Sequence, residues 1–164
     1  MKDIVDIEKV YDEISSGLYN TSLRIVGCSS DAEEIMHDTL LQYWRFRHKD
    51  EIRDLRSWLA KVCIRKSIDK LRERHRRNVF LENYDGYPEE QDMVVDRSYD
   101  IDDIQRALAS LPDQYRAILS MRLFDGYDYQ EISQITGSKE STIRSLYMRG
   151  RFKLAEAIKK NAKK

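Results

Sequence analysis

The chain has 164 residues, enough for one ordinary domain or two small ones. It is 35% charged yet formally neutral, with 29 basic and 29 acidic groups, so the mean charge singles out no partner and only its placement is informative. No apolar run nears the roughly 18 residues that cross a bilayer, which excludes membrane insertion, and Asp3, Asp6 and Glu8 do not suit a signal peptide.

In chain order, Ile7, Val10, Tyr11, Ile14 and Leu18 recur at helical intervals and predict a first amphipathic helix. Ser30 with Glu33 predicts a capping box, followed by Ala32, Ile35, Met36, Leu40 and Tyr43 on one side of a second helix. Asp31, Glu34 and Asp38 fall on another side, an acidic stripe expected to face outward. A polar, basic stretch from Arg45 to Asp54 then breaks the apolar periodicity. The next helix is expected over Leu55 to Arg77. At about 100° per residue, Trp58, Lys61, Arg65, Arg72 and Arg76 share one narrow sector of it. Residues 78–100 gather acids with Asn83, Gly86 and Pro88, the composition of a flexible linker. Helical spacing resumes at Ile101, Ile104, Leu108 and Leu111, then at Tyr115, Ile118 and Leu119. No strand pattern and no internal repeat stands out. The expected fold class is all-α: two small helical domains, residues 1–77 and 101–164, joined by an acidic flexible linker, residues 78–100.

Charge is strongly segregated along this plan. Residues 1–44 carry 3 basic and 9 acidic groups, a net of −6, while residues 45–77 carry 13 and 5, a net of +8. Residues 82–103 carry 1 and 9, a net of −8, and residues 139–164 carry 9 and 2, a net of +7. Two basic blocks divided by an acidic one suggest two polyanion-facing surfaces. Solvated basic helix faces would explain one such block more readily than two.

The C-terminal stretch from Leu111 to Leu154 has the layout of a helix-turn-helix. Asp128 three residues before Glu131 marks the start of its first helix as an Asp variant of the capping box. Ile132 and Ile135 supply an inner face, Ser133 allows close approach, and Gly137 suits a turn residue with positive φ. Ile143 and Leu146 are expected to fix the second helix, and Arg144, Ser145, Met148 and Arg149 to share its exposed side. A plain helical hairpin fits the same pattern when it is taken alone.

Cys28 and Cys63 have neither metal-type nor disulfide-framework spacing, so a reducing, cytoplasmic compartment is the simpler reading. His37, His48 and His75 are too scattered for a ligand set, so no metal or cofactor is expected. No nucleophile–base set or phosphate-binding glycine loop appears, which argues against an enzyme.

The runs DAEEIMHDTLLQYWR (Asp31 to Arg45) and RSWLAKVCIRKSIDKLR (Arg56 to Arg72) resemble the promoter-melting domain of bacterial sigma factors. The block from Leu111 to Leu154 resembles their C-terminal helix-turn-helix domain. The order and short linker are those of the extracytoplasmic-function (ECF) group, and the similarity covers about residues 5–77 and 101–160. The resemblance implies binding to core RNA polymerase, promoter DNA as ligand, and an anti-sigma factor as a further partner. Through it, Asp31, Glu34 and Asp38 become candidate contacts to the polymerase β′ coiled coil, and the C-terminal domain a partner of the β flap. The stretch from Arg45 to Asp54 corresponds to the loop that captures a flipped base. Trp58, Lys61, Arg65, Lys66, Arg72 and Arg76 become candidates for the minus-ten element, Arg77 for the DNA backbone beside them, and Ser141, Thr142, Arg144, Ser145, Met148 and Arg149 for the minus-thirty-five element. Trp58 reads either as a core residue under the loop, the favoured alternative, or as a stacking platform.

This chain also departs from the family pattern. Arg65 stands where asparagine is usual and His37 where glutamine is commoner. Thr136 and Ser138 replace apolar residues, which is expected to loosen the hairpin, and Leu146 replaces a common arginine. The rival readings are a free-standing DNA-binding regulator that never engages polymerase, and a divergent member acting as a decoy for an anti-sigma factor.

Overall fold

A computed structural model of the chain describes residues 2–75 and 100–162. Among these residues the protein is all-α, with seven α-helices: α1 (Lys2–Val26), α2 (Ser29–Arg45), α3 (Leu55–Arg74), α4 (Ile101–Ala109), α5 (Asp113–Leu119), α6 (Tyr129–Thr136) and α7 (Glu140–Ala162). The chain divides into two compact units, Met1–Lys70 and Leu71–Lys164, so the last turn of α3 belongs with the second. Arg76, Arg77 and almost all of the linker expected at 78–100 lie outside the described residues.

In the first unit, Leu18, Ile25 and Val26 of α1, Ala32, Ile35 and Met36 of α2, and Leu59, Val62, Cys63, Ile64 and Ile68 of α3 form the core. Small polar residues let α1 and α3 approach closely without orphaned groups. The buried Ser67 hydroxyl lies 3.0 Å from that of Ser22 and 2.8 Å from the Cys63 carbonyl, and the Cys63 thiol donates to the Leu18 carbonyl at 3.4 Å. Gly27, at φ 67°, ends α1 in the left-handed region that costs glycine least, with its N–H on the Leu23 carbonyl at 2.9 Å.

The start of α2 differs from the expected capping box. The helix begins at Ser29 with Cys28 as N-cap, so Ser30 already lies inside the first turn and its hydroxyl meets the Cys28 sulfur at 3.2 Å. Of the apolar face expected of α1, Leu18 is buried, Ile14 half-buried and Tyr11 exposed, while the side chains of Ile7 and Val10 lie outside the described residues.

In the second unit, α7 packs against α4, α5 and α6. Leu108, Tyr115, Ile118, Leu119, Ile132, Ile143, Leu146, Tyr147, Leu154 and Ile158 are among its buried residues. Ile101 opens α4 as expected but stays 65% exposed. After α5 the chain widens into a π-helical turn, Ser120–Phe124, in which the Asp125 N–H bonds the Ser120 carbonyl at 3.2 Å.

Candidate nucleic-acid interface

Two members of the basic strip expected on α3 stand out from the core of the first unit. Lys61 and Arg65 are exposed and Lys66 is half-buried, while Leu59, Ile64 and Ile68 are sealed inside. Asp54 starts this helix, its carboxylate accepting from the Ser57 N–H at 3.3 Å. Before it, the Arg45–Asp54 stretch folds over a short 3₁₀ turn, Lys49–Glu51, to form a recess of about 420 Å³. Phe46, Glu51, Ile52, Arg53, Asp54, Ser57, Trp58 and Lys61 line it.

Trp58 is the floor of this recess. It is half-buried, with ring centroids 5.2 Å from Phe46 in a tilted pair and 6.1 Å from Tyr43 edge to face. Lys49 in turn lies 5.2 Å from the Tyr43 ring centroid. An aromatic wall with cations at the rim is the chemistry an unstacked base requires: a π-face to stack on and positive charge for the neighbouring phosphates. Arg72, by contrast, gives its guanidinium to the Thr136 carbonyl. Arg74 and His75 lie 3.9 and 2.8 Å from Asp113, whose other oxygen takes the buried Arg116 at 2.5 Å. Burial pushes the Asp113 carboxyl up, but the hydrogen bonds to His75 and Arg116 and the charges of Arg116 and Arg74 outweigh it and hold the group below its ordinary value.

The acidic stripe of α2 is split. Glu34 and Asp38 are exposed, but Asp31 is half-buried and faces Lys70 at 3.7 Å. The outward face of α2 continues instead through His37, Leu41 and Trp44, the last two 47% and 52% exposed. Tyr11 stacks on His37 with centroids 6.3 Å apart. An apolar patch flanked by carboxylates on one helix face suits a protein partner better than open solvent.

The helix-turn-helix forms around α6 and α7. Asp128 caps α6 with the complete box: its carboxylate takes the Glu131 N–H at 2.8 Å, and the Glu131 carboxylate takes the Asp128 N–H at 2.8 Å. Gly137 ends α6 at φ 73°. The polar turn is tied rather than loosened, contrary to expectation. The buried Thr136 hydroxyl donates to the Ile132 carbonyl at 2.8 Å and accepts from the Ser138 N–H at 3.2 Å, while the Ser133 hydroxyl donates to the Ser138 carbonyl at 2.6 Å.

On α7, Ser141 and Arg144 are exposed, and Thr142, Met148 and Arg149 are half-buried. Ser145 is not on the exposed side expected for it: it is 3% exposed, because three helices pack around α7 and leave only a narrow outward sector. Arg144 donates to Glu140 at 3.1 Å and lies 5.0 Å from the Tyr129 ring centroid.

Four residues that the sequence did not single out come forward in this geometry: Phe46, Leu41, Tyr129 and Arg122. Phe46 carried a usable signal, an aromatic alone in a basic, aperiodic stretch. Leu41 and Trp44 carried another, apolar side chains three residues apart off the apolar face. Tyr129 and Arg122 had none, since their partners come from other helices.

Residues 10–77 match the family described as Sigma-70 region 2, and residues 101–154 that described as Sigma-70, region 4. The ECF RNA polymerase sigma factor SigL of Mycobacterium tuberculosis is 31% identical over 144 residues, 83% of this chain and 79% of that protein. SigE of Mycolicibacterium smegmatis, also an ECF RNA polymerase sigma factor, is 29% identical over 150 residues. That match covers 88% of this chain but 58% of the relative's length. The sigma factor RpoE of Bartonella quintana, solved with the anti-sigma factor NepR, has the same fold at a TM-score of 0.61 and 23% identity, over 94% of this chain and 97% of that one. With both sigma regions present in order, the chain belongs to the ECF family of RNA polymerase sigma factors.

Proposed function

We propose that this sigma factor binds core polymerase through the exposed face of α2, reads the minus-thirty-five element with α7, and captures an unstacked minus-ten base in the recess over Trp58. It has no catalytic activity of its own in this reading, and it acts in the cytoplasm. Glu34, Asp38, Leu41 and Trp44 form the polymerase-facing surface; the C-terminal unit meets the β flap. Lys61, Arg65 and Lys66 hold the phosphates of the open strand. Ser141, Thr142, Arg144, Met148 and Arg149 lie toward duplex DNA, while Ser145 supports α7 from inside. An anti-sigma factor as a further partner is supported by the Bartonella relative, which is bound to one.

The observation that carries this reading is the aromatic recess of Phe46 and Trp58 beside the exposed Lys61 and Arg65. A regulator that never melts DNA has no use for such a pocket. The test is permanganate footprinting of the open complex formed by core polymerase with the protein on a duplex promoter. Phe46→Ala should bind the closed promoter as the parent does and lower open-complex yield five-fold or more, since stacking on an aromatic contributes about 1–3 kcal/mol per base. A parental yield would remove the recess from the melting step.

A further inference from the structure

Two tyrosines and three arginines interleave at the base of α7. Tyr129, the first residue of α6, meets Tyr147 of α7 edge to face, with centroids 5.5 Å apart. Arg122 lies 5.3 Å from the Tyr129 centroid and 5.8 Å from that of Tyr147, and Arg151 lies 5.7 Å from Tyr147. The Arg122 Nε is buried with no hydrogen-bond partner, so the rings supply the favourable contact that this cation has there. Arg144 reaches the Tyr129 ring more closely, at 5.0 Å, and is the exposed member of the group.

A long arginine side chain on an exposed helix face samples many rotamers, and fixing one of them on binding costs affinity. Arg144 is held at two points before any ligand arrives. Glu140 takes one N–H at 3.1 Å, and the ring of Tyr129 attracts the cation. The capping box that starts α6 fixes the backbone carrying this ring, and the ring itself packs edge to face on the buried Tyr147. The tyrosine face offers no oxygen acceptor, so the guanidinium keeps its remaining donors for an outside acceptor such as guanine or phosphate.

We propose that Tyr129 is a positioning residue for promoter recognition: its ring holds the Arg144 guanidinium in place and so sets how strongly that arginine reads minus-thirty-five DNA, without itself touching a base. This rests on the reading of α7 as the helix facing that element.

The experiment measures binding of holoenzyme, core polymerase with the protein, to duplexes carrying each base in turn across the minus-thirty-five element. The variants are Tyr129→Phe, Tyr129→Leu, Arg144→Ala and the double variant Tyr129→Leu with Arg144→Ala. Phenylalanine keeps the aromatic face and should behave as the parent. Leucine keeps apolar bulk without the face and should weaken binding about two- to five-fold, the size of an exposed cation–π contact. In the Arg144→Ala background the same leucine substitution should change nothing further. A loss from Tyr129→Leu that persists without Arg144 would mean a packing role and overturn the proposal. So would parental binding by Tyr129→Leu beside weakened binding by Arg144→Ala. Parental binding by Arg144→Ala itself would instead remove α7's assigned role, and the positioning role with it.

Discussion

Lys70 of α3 reaches Asp31 of α2, Nζ to Oδ1, at 3.7 Å, and lies 4.0 Å from Glu34. With side-chain exposures of 29% and 21%, Lys70 and Asp31 form a half-sheltered clamp between two helices rather than part of a free surface. The acidic stripe therefore separates into a structural carboxylate and two outward ones. Asp31→Asn should cost less than about 1 kcal/mol of stability and leave core polymerase binding unchanged. The pair Glu34→Lys with Asp38→Lys should weaken co-elution with core polymerase, more so at low salt, while the fold persists. Equal core binding by parent and pair would clear α2's carboxylates from that interface.

Arg65 is exposed on α3 and carries donors only, where the family's usual asparagine both donates and accepts. A phosphate role follows most simply. Arg65→Asn should lower open-complex yield on every template, reduce the salt slope by about one, and keep the preferred minus-ten bases. Open-complex assays with all four bases at each minus-ten position decide this. A shifted preference would make Arg65 a base reader, and identical profiles and yields would turn it away from DNA.

Asp113 makes the C-terminal unit sensitive to acid. Its folded carboxyl titrates below the ordinary 3.8, so the ionised form is the one the fold favours. That contribution is fully present above the unfolded value and disappears as pH falls through the folded one. Asp113→Asn should cost about 1–3 kcal/mol at neutral pH, because it weakens the partner of the buried Arg116. Amide hydrogen exchange of α5 and α7 should show the gap between variant and parent closing in acid. A gap that stays constant with pH would contradict this assignment.

The two thiols should differ sharply. The hydrogen bond from Ser30, then the backbone N–H of Asp31, lowers the Cys28 thiol below its ordinary 9.0, and this residue is half-exposed. Cys63 is fully buried, with its thiol on the Leu18 carbonyl. Iodoacetamide should label Cys28 alone in the native protein and both cysteines after unfolding, and Ser30→Ala should raise the pH at which Cys28 reacts. Mass spectrometry resolves the two sites, and comparable native rates would count against the packing of α1 on α3.

What was legible in the sequence was local. The Asp128–Glu131 box, the positive-φ Gly137 and the exposed Lys61 and Arg65 each depend on spacing within one helix or turn. What was not legible depends on neighbours. Ser145 is buried because α4, α5 and α6 all pack on α7, and Asp31 turns inward because Lys70 stands opposite. Thr136 and Ser138 tighten their turn through hydrogen bonds that only the folded backbone brings into line. The Ser30–Glu33 spacing suggested a cap, yet Gly27 ends α1 so early that α2 starts before Ser30.

In the proposed function, this chain gives core polymerase its promoter choice. Run-off transcription from a promoter library, with purified core polymerase in the presence and absence of the protein, tests it most directly. The expected transcripts require the protein and come from templates sharing one minus-thirty-five and one minus-ten sequence. Transcription unchanged by the protein, together with tight sequence-specific binding by the isolated chain, would contradict it and favour a free-standing regulator.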